Sequence, residues 1–338
     1  MRGIENPSDA QERIPTVDGS KNLFLIRKID TENYRMTTTQ QLLQQLINAL
    51  SLGTIYALFA LGYALVFSVL GVLNLAHSAI FTSGAVIGLL LILQWNVSLP
   101  LAFVGAMIGA GLLGIILELV AFRPLRRRGA PRISQLISSI GAALLIVNIT
   151  QLVFTNLFNT TEAYFPKNII PETAIPLGGG VAVQPIRLII LGVSLVLMVL
   201  LQYLVNRTRI GRQMRAVAFN DRTARLLGIN VSRIYLLTFF LAGTLGGAGG
   251  LLYGLAFSRV TPFVGQDIAL LGLTAIILGG LGSIPGAVIG GFLVAIFQTF
   301  SIVIGGSSYR DAVVFILLFL ILLVRPQGLL GQPEQSRA

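Results

Sequence analysis

Residues 42–68 read LLQQLINALSLGTIYALFALGYALVFS, with no charged side chain among them. They lie inside a longer run, Met36 to Leu117, that holds no Asp, Glu, Lys or Arg over 82 residues. One crossing of a bilayer needs about 20 apolar residues, so this run alone accommodates roughly three or four passes. The rest of the chain agrees. Of its 338 residues 54% are hydrophobic and 11% charged, and the mean hydropathy is +0.83. Soluble domains carry about 25% charged residues, so most of this chain is solvated by lipid.

The composition also excludes whole chemistries. There is no cysteine, which removes disulfides, thiolate nucleophiles and Cys-ligated metals. The single histidine, His77, cannot build a multi-His metal site. The lysines Lys21, Lys28 and Lys167 follow Ser20, Arg27 and Pro166, so no Gly-Lys phosphate loop exists. With one His and no paired carboxylates in a span, the chain lacks general acid–base parts and reads as a non-enzyme without cofactor or metal. If ATP drives it, a partner performs the hydrolysis.

The net charge of +11 is not a nucleic-acid footprint, because of where it lies. Residues 1–38 are polar, aperiodic and net neutral, and read as a tail, as do 332–338 at the other end. Beyond the first tail the arginines gather in Phe122–Arg132 and in the loop 206–233, the latter holding Asp221 as its single acid. Basic loops of this kind lie on the cytoplasmic side. Asn156–Arg187, with Glu162, Lys167, Glu172 and a Gly178-Gly179-Gly180 run, reads as the opposite face.

Residues 39–331 therefore form an all-α, polytopic transmembrane bundle. The candidate spans are Leu42–Ser68, Val72–Leu93, Leu99–Ala121, Ile133–Leu157, Ile186–Val205, Ile234–Phe257, Ile268–Gly280, Pro285–Ile304 and Ala312–Val324. We count about eight crossings, or nine if every segment passes fully. Counting back from the first arginine loop puts the N-terminal tail outside, whereas Lys21, Arg27, Lys28 and Arg35 argue for inside. Either one apparent span is two half-crossings or the tail is external. Two segments are broken, at Gly71–Ser78 and at Gly279–Gly286, and Gly84–Gly88 and Gly286–Gly290 both read Gly-Ala-Val-Ile-Gly. Paired interrupted spans point to a transporter built from an internal repeat. Leu241–Gly254 carries six glycines at small-xxx-small spacings, which suits close helix packing in lipid.

Loop 206–233 is too long for a turn, and Arg212–Leu227 reads as a short amphipathic helix. Its apolar face would hold Ala216, Phe219, Thr223, Leu226 and Leu227, with a break at Asn220 or Asp221 and a C-cap at Gly228. An apolar stripe in such a loop implies a protein partner on the cytoplasmic side.

These residues carry a family resemblance. Gly211-Arg212, Arg215-Ala216, Ala218, Asn220, Ala224 and Leu227-Gly228-Ile229-Asn230 resemble the coupling loop of branched-chain amino acid ABC-importer permeases, in particular the shorter, H-type permease of the Liv system. The likeness runs through most of Gln40–Gly331, including Leu50–Leu58, Val72–His77, Arg123-Pro124-Leu125, Leu278–Ala287 and Arg325–Gly331. The N-terminal tail and Phe219 depart from the family pattern. The resemblance implies a multi-pass permease of the bacterial plasma (inner) membrane that carries branched-chain or other neutral amino acids. Its implied partners are ABC ATPase subunits, a second permease (a related longer one or a second copy) and an extracytoplasmic substrate-binding protein. Gly211, Arg212, Arg215, Ala216, Asn220, Ala224, Arg225, Leu227 and Gly228 would then couple to the ATPase.

Asn74 and His77 are polar groups inside the charge-free stretch, and either line a pathway or bridge helices. Tyr56, Tyr63, Ser83, Thr274 and Ser283 are lesser pathway candidates. Glu118, preceding Arg123 and Arg126, reads as one half of a structural ion pair. Urea or short amides would suit the same weakly polar lining. An ion-coupled transporter working alone would need intramembrane acids that the first 82-residue run lacks.

Overall fold

Hydrocarbon offers no hydrogen-bond partners, so a chain this apolar satisfies its own amides as helices. The computed structural model describes residues 38–166, 169, 173–178, 181–305 and 307–331. Of the expected tails 1–38 and 332–338, all but Thr38, along with Lys167, Glu172 and Gly179-Gly180, lie outside the described residues. In order come α1 (Thr38–Leu70), α2 (His77–Leu93), α3 (Leu99–Leu117), a π-helical turn (Glu118–Phe122), α4 (Arg123–Arg127) and α5 (Arg132–Phe158). The short strands β1 (Ala163–Tyr164), β2 (Ile175–Gly178) and β3 (Val181–Val183) precede α6 (Pro185–Arg207), α7 (Arg209–Phe219), α8 (Asp221–Leu226) and α9 (Val231–Phe257). β4 (Arg259–Val260), α10 (Val264–Gly279), α11 (Ile284–Gly305), a 3-10 turn (Ser307–Tyr309) and α12 (Arg310–Val324) complete the chain.

Among the described residues six helices are long and apolar enough to cross a membrane alone, while α2, α10 and α12 have 17, 16 and 15 residues. At 1.5 Å per residue each of these three is about 25 Å long or less, short of a hydrocarbon core of about 30 Å. Two expected spans shift accordingly. Val72–Ala76 is not helical, because Gly71 (φ +68°) turns the chain at the end of α1 and Asn74 bends the approach to α2. The second broken segment begins at Val264, before Ile268, and ends where Gly280 (φ +109°) leaves the helix.

Cross-contacts orient the bundle. A Cβ on Gly71 would lie 3.7 Å from the Arg132 guanidinium carbon, so α1 ends at the level of the arginine loops. At the opposite end the Gln44 side chain accepts from the Ala182 amide (3.3 Å), placing the start of α1 with the β2–β3 hairpin. With the arginine clusters inside, α1 therefore starts on the external side. β1 pairs antiparallel with β4 on that face, and the Tyr164 hydroxyl donates to Glu162 (2.9 Å), which holds its phenol above the ordinary tyrosine range.

The internal repeat appears as reciprocal packing. α1 runs along α11 and α9 along α3, while α2 packs mainly on α9 and α10 on α1. α1 descends from the external side and α9 rises from the cytoplasmic side, so the halves have inverted topology. The shared Gly-Ala-Val-Ile-Gly pentapeptides do not mark this symmetry. One lies on α2 and the other opens α11, whose counterpart is α3. Each instead supplies a close approach, Gly84 to Gly247 and Gly290 to the Ala275 carbonyl. The glycines of α9 do the same against α3: a Cβ on Gly243 would lie 2.5 Å from the Ala110 oxygen, and one on Gly247 2.5 Å from Ala110 Cβ.

Candidate functional site

At the centre of the bundle the first broken segment brings polar groups into an apolar core. Asn74 Oδ1 accepts from the Ala76 amide (3.2 Å) and its main-chain oxygen from His77 (3.1 Å), fixing the turn into α2. Ser139 on α5 braces the same turn by accepting from the Leu75 amide at 3.2 Å. The His77 ring is fully buried between Phe59 and Tyr63, with centroids 5.0 and 5.1 Å away, and against Gly62 and Gly246 of the two inner helices. Gly246 is near the midpoint of α9, so His77 sits near mid-membrane. Both His77 nitrogens, the Tyr63 hydroxyl and Asn74 Nδ2 are buried without hydrogen-bond partners among the described residues. Such groups are costly in a low-dielectric interior and concentrate on ion and substrate routes.

The two broken segments meet there. The amide of Gly265, in the first turn of α10, donates to Thr82 Oγ1 on α2 at 2.9 Å, and Gly265 packs on the Ser78 carbonyl. Thr82 had no distinguishing sequence signal beyond its place one turn after Ser78. Ser83 is buried and bonds within its own helix to Ala79 (2.8 Å), and Thr274 is buried on α10. Ser283 is apart from these: its hydroxyl accepts from Gly286 (3.1 Å) at the start of α11, beside the cytoplasmic end of α1. Tyr56 belongs to a separate chain of polar contacts. Its hydroxyl donates to Gln298 (2.6 Å), which donates to Asp311 (2.9 Å), which faces Arg310 (3.4 Å) at the external start of α12. Gln298, a lone amide in an apolar helix, was the legible signal for this chain.

The cytoplasmic loop forms two helices, where the sequence suggested one helix from Arg212 to Leu227 with a break. Thr208 caps α7 by accepting from Gly211 (3.1 Å), and Asn220 caps α8 by accepting from Arg222 and Thr223 (3.0 Å each). Asn230 caps α9 through Arg233 at 3.1 Å. Gly228 (φ +79°) ends α8 with Ile229 N–H on the Ala224 carbonyl and its own N–H on Arg225, both at 3.0 Å, the two bonds of a Schellman stop. The face turned to the bundle is Gly211, Met214, Val217 and Ala224, a second face distinct from the expected outward one. Gly211 fits directly over the carbonyls that end α6, and α7 rests on α1, α6 and α9. Ala216 is half-buried, while Phe219, Leu226 and Leu227 stand 79%, 88% and 74% exposed. Arg215 donates to the Val205 carbonyl at the end of α6, and Arg225 pairs with Asp221 at 3.1 Å. Arg212 is exposed.

Beside this platform Glu118, fully buried, pairs with Arg126 and not with Arg123. Arg126 also stacks over the Tyr235 ring of α9 at 4.0 Å. The pair thus ties the end of α3 to the first turns of α9.

Residues 45–322 match the family model for “Branched-chain amino acid transport system / permease component”. The chain is 36% identical over 304 residues to the high-affinity branched-chain amino acid transport system permease protein BraD of Pseudomonas aeruginosa, across 87% of this chain and 97% of the relative. It is 33% identical, over the same shares of the two chains, to the corresponding permease protein LivH of Escherichia coli K12. A more distant relative is the ribose import permease protein RbsC of Escherichia coli K12, 26% identical over 82% of this chain and 84% of that one.

Proposed function

Because this chain belongs to the branched-chain amino acid transport permease family, we propose that it forms one side of the translocation pathway of an ATP-driven importer for branched-chain or other neutral amino acids. The observation that carries the reading is the α7–α8 platform. Three side-chain caps and a glycine stop hold it rigid, the bundle supports it from behind, and it presents Phe219, Leu226 and Leu227 outward. Exposed apolar side chains on a fixed cytoplasmic surface suit a permanent protein neighbour, and an ATPase subunit fits a chain without a nucleotide site. Closure of the ATPase would push α7–α8 against α1, α6 and α9, and so bias the inverted halves between outward and inward access.

The central polar groups support a zwitterionic cargo. The N-terminal turns of α2 and α10 carry partial positive charge that complements a carboxylate, and the surrounding side chains are uncharged and largely apolar. A second permease, related or identical, completes the pathway, and a substrate-binding protein docks on the external face. Urea or a short amide is the second reading, favoured by the uncharged character of Asn74, Tyr63 and Thr82. The test is uptake in proteoliposomes holding this chain, a second permease, the ATPase and the binding protein. ATP-dependent accumulation of labelled leucine is expected, and accumulation of urea in its place selects the second reading. Leucine uptake by this chain without any ATPase overturns the proposal.

A further inference from the structure

The exposed face of α3 and the π-helical turn that follows it is a stripe of large apolar side chains, Ile108, Leu112, Ile116 and Val120, that leads directly into Arg123 and Arg127. At the helix repeat these positions fall on one side. Arg123, Arg127 and Arg128 have no ion-pair or side-chain hydrogen-bond partner among the described residues. Together with Leu119 and Pro124 they line a cleft of about 370 Å³. Arg123 and Arg127 also border a second cleft, of about 450 Å³, which continues inward to Arg126, Arg225, Asn230, Ser232 and Tyr235. The nearest acids, Glu118 and Asp221, are each already neutralised by an arginine. Two joined clefts therefore hold an excess of positive charge at the depth where the lipid-facing stripe ends.

We propose that this is a binding site for an anionic phospholipid of the cytoplasmic leaflet, its phosphate held between Arg123 and Arg127 and its acyl chains laid along Val120, Ile116 and Leu112. Guanidinium groups match phosphate oxygens in pairs, and basic pockets between helices on the cytoplasmic side are a known mode of headgroup recognition. The apolar stripe selects a lipid over a soluble anion, which has no use for it. Because the inner cleft reaches Arg225 of α8 and the start of α9, a bound headgroup would bridge the first arginine loop to the coupling platform.

Native mass spectrometry of the full chain, delipidated and then titrated with phosphatidylglycerol or phosphatidylcholine, tests this independently of transport. Wild type should retain phosphatidylglycerol in preference. The double variant Arg123→Gln/Arg127→Gln, which leaves the Glu118–Arg126 pair intact, should bind it about thirtyfold more weakly. Arg325→Gln, at the end of α12, removes a positive charge away from the clefts and should bind as wild type. Equal retention by wild type and the double variant overturns the proposal. So does displacement by inorganic phosphate at millimolar concentration, which would make the site one for a soluble anion. Unchanged lipid retention with lost ATPase co-purification overturns it in favour of a protein contact.

Discussion

Glu118 and Arg126 form an ion pair although eight residues separate them on one continuous helix. On a regular α-helix that spacing leaves two side chains about 80° apart. The π-helical turn at Glu118–Phe122 absorbs one residue, so the spacing acts as seven and the groups come within about 20°. The turn is thus the device that buries a carboxylate against a guanidinium where α3 meets α9.

Removing one partner leaves an uncompensated charge in the interior. Glu118→Ala should cost about 3–5 kcal/mol, and Glu118→Ala/Arg126→Met should recover a large part of that loss. Thermal melts of the detergent-solubilised protein, arranged as a double-mutant cycle, measure it. Additive losses would mean that the pair contributes no coupling.

Glycine positions in the bundle divide by what a side chain would strike. Gly247→Val forces a branched side chain into Ala106 and Ala110 of α3 and should sharply reduce folded yield. Gly141→Ala, where nothing lies within 4 Å of the new carbon, should be neutral or stabilising by up to about 1 kcal/mol. Size-exclusion profiles after solubilisation distinguish the two.

The caps of α8 make a paired prediction. Asn220→Ala should weaken the helix by about 1 kcal/mol, and Gly228→Val by about 1–2 kcal/mol, because a β-branched residue is forced to positive φ. Both variants should insert normally, show faster amide exchange confined to residues 221–229, and couple ATP hydrolysis to uptake poorly. Wild-type coupling with a frayed α8 would remove this helix from the drive.

Tyr56→Phe removes the hydroxyl that donates to Gln298 and should cost about 1 kcal/mol of stability. If the Tyr56–Gln298–Asp311 chain belongs to the pathway entrance, uptake should fall severalfold at unchanged expression. Undiminished uptake would assign it to packing alone.

Much of this was legible because lipid imposes a simple rule: apolar runs become helices, and arginines report the cytoplasmic side. Among the described residues that rule located the apolar helices from residue types, apart from the starts of α2 and α10, and the glycine spacing of Leu241–Gly254 foretold the tight contact with α3. Other features depended on contacts distant in sequence. The choice of Arg126 over Arg123 by Glu118 needs the π turn. The side of α1 was undecidable from conflicting charges until Gln44 met Ala182 and Gly71 met Arg132. The expected face of Ala216, Phe219, Thr223, Leu226 and Leu227 stays largely outward, but the second, inward face of Gly211, Met214 and Val217 was not legible in the sequence. A sequence period shows that a helix has a face, not which neighbour takes it.

The chain has no cysteine, so single-cysteine variants report accessibility without background. The most direct test uses Trp95→Cys on the external side and Leu226→Cys on α8, both highly exposed, with a membrane-impermeant maleimide. Trp95→Cys should label in right-side-out vesicles. Leu226→Cys should label only in inverted ones, and should become shielded when the ATPase subunits assemble. Labelling of Leu226→Cys from the external side, or undiminished labelling in the assembled complex, would contradict a cytoplasmic platform driven by a nucleotide-hydrolysing partner.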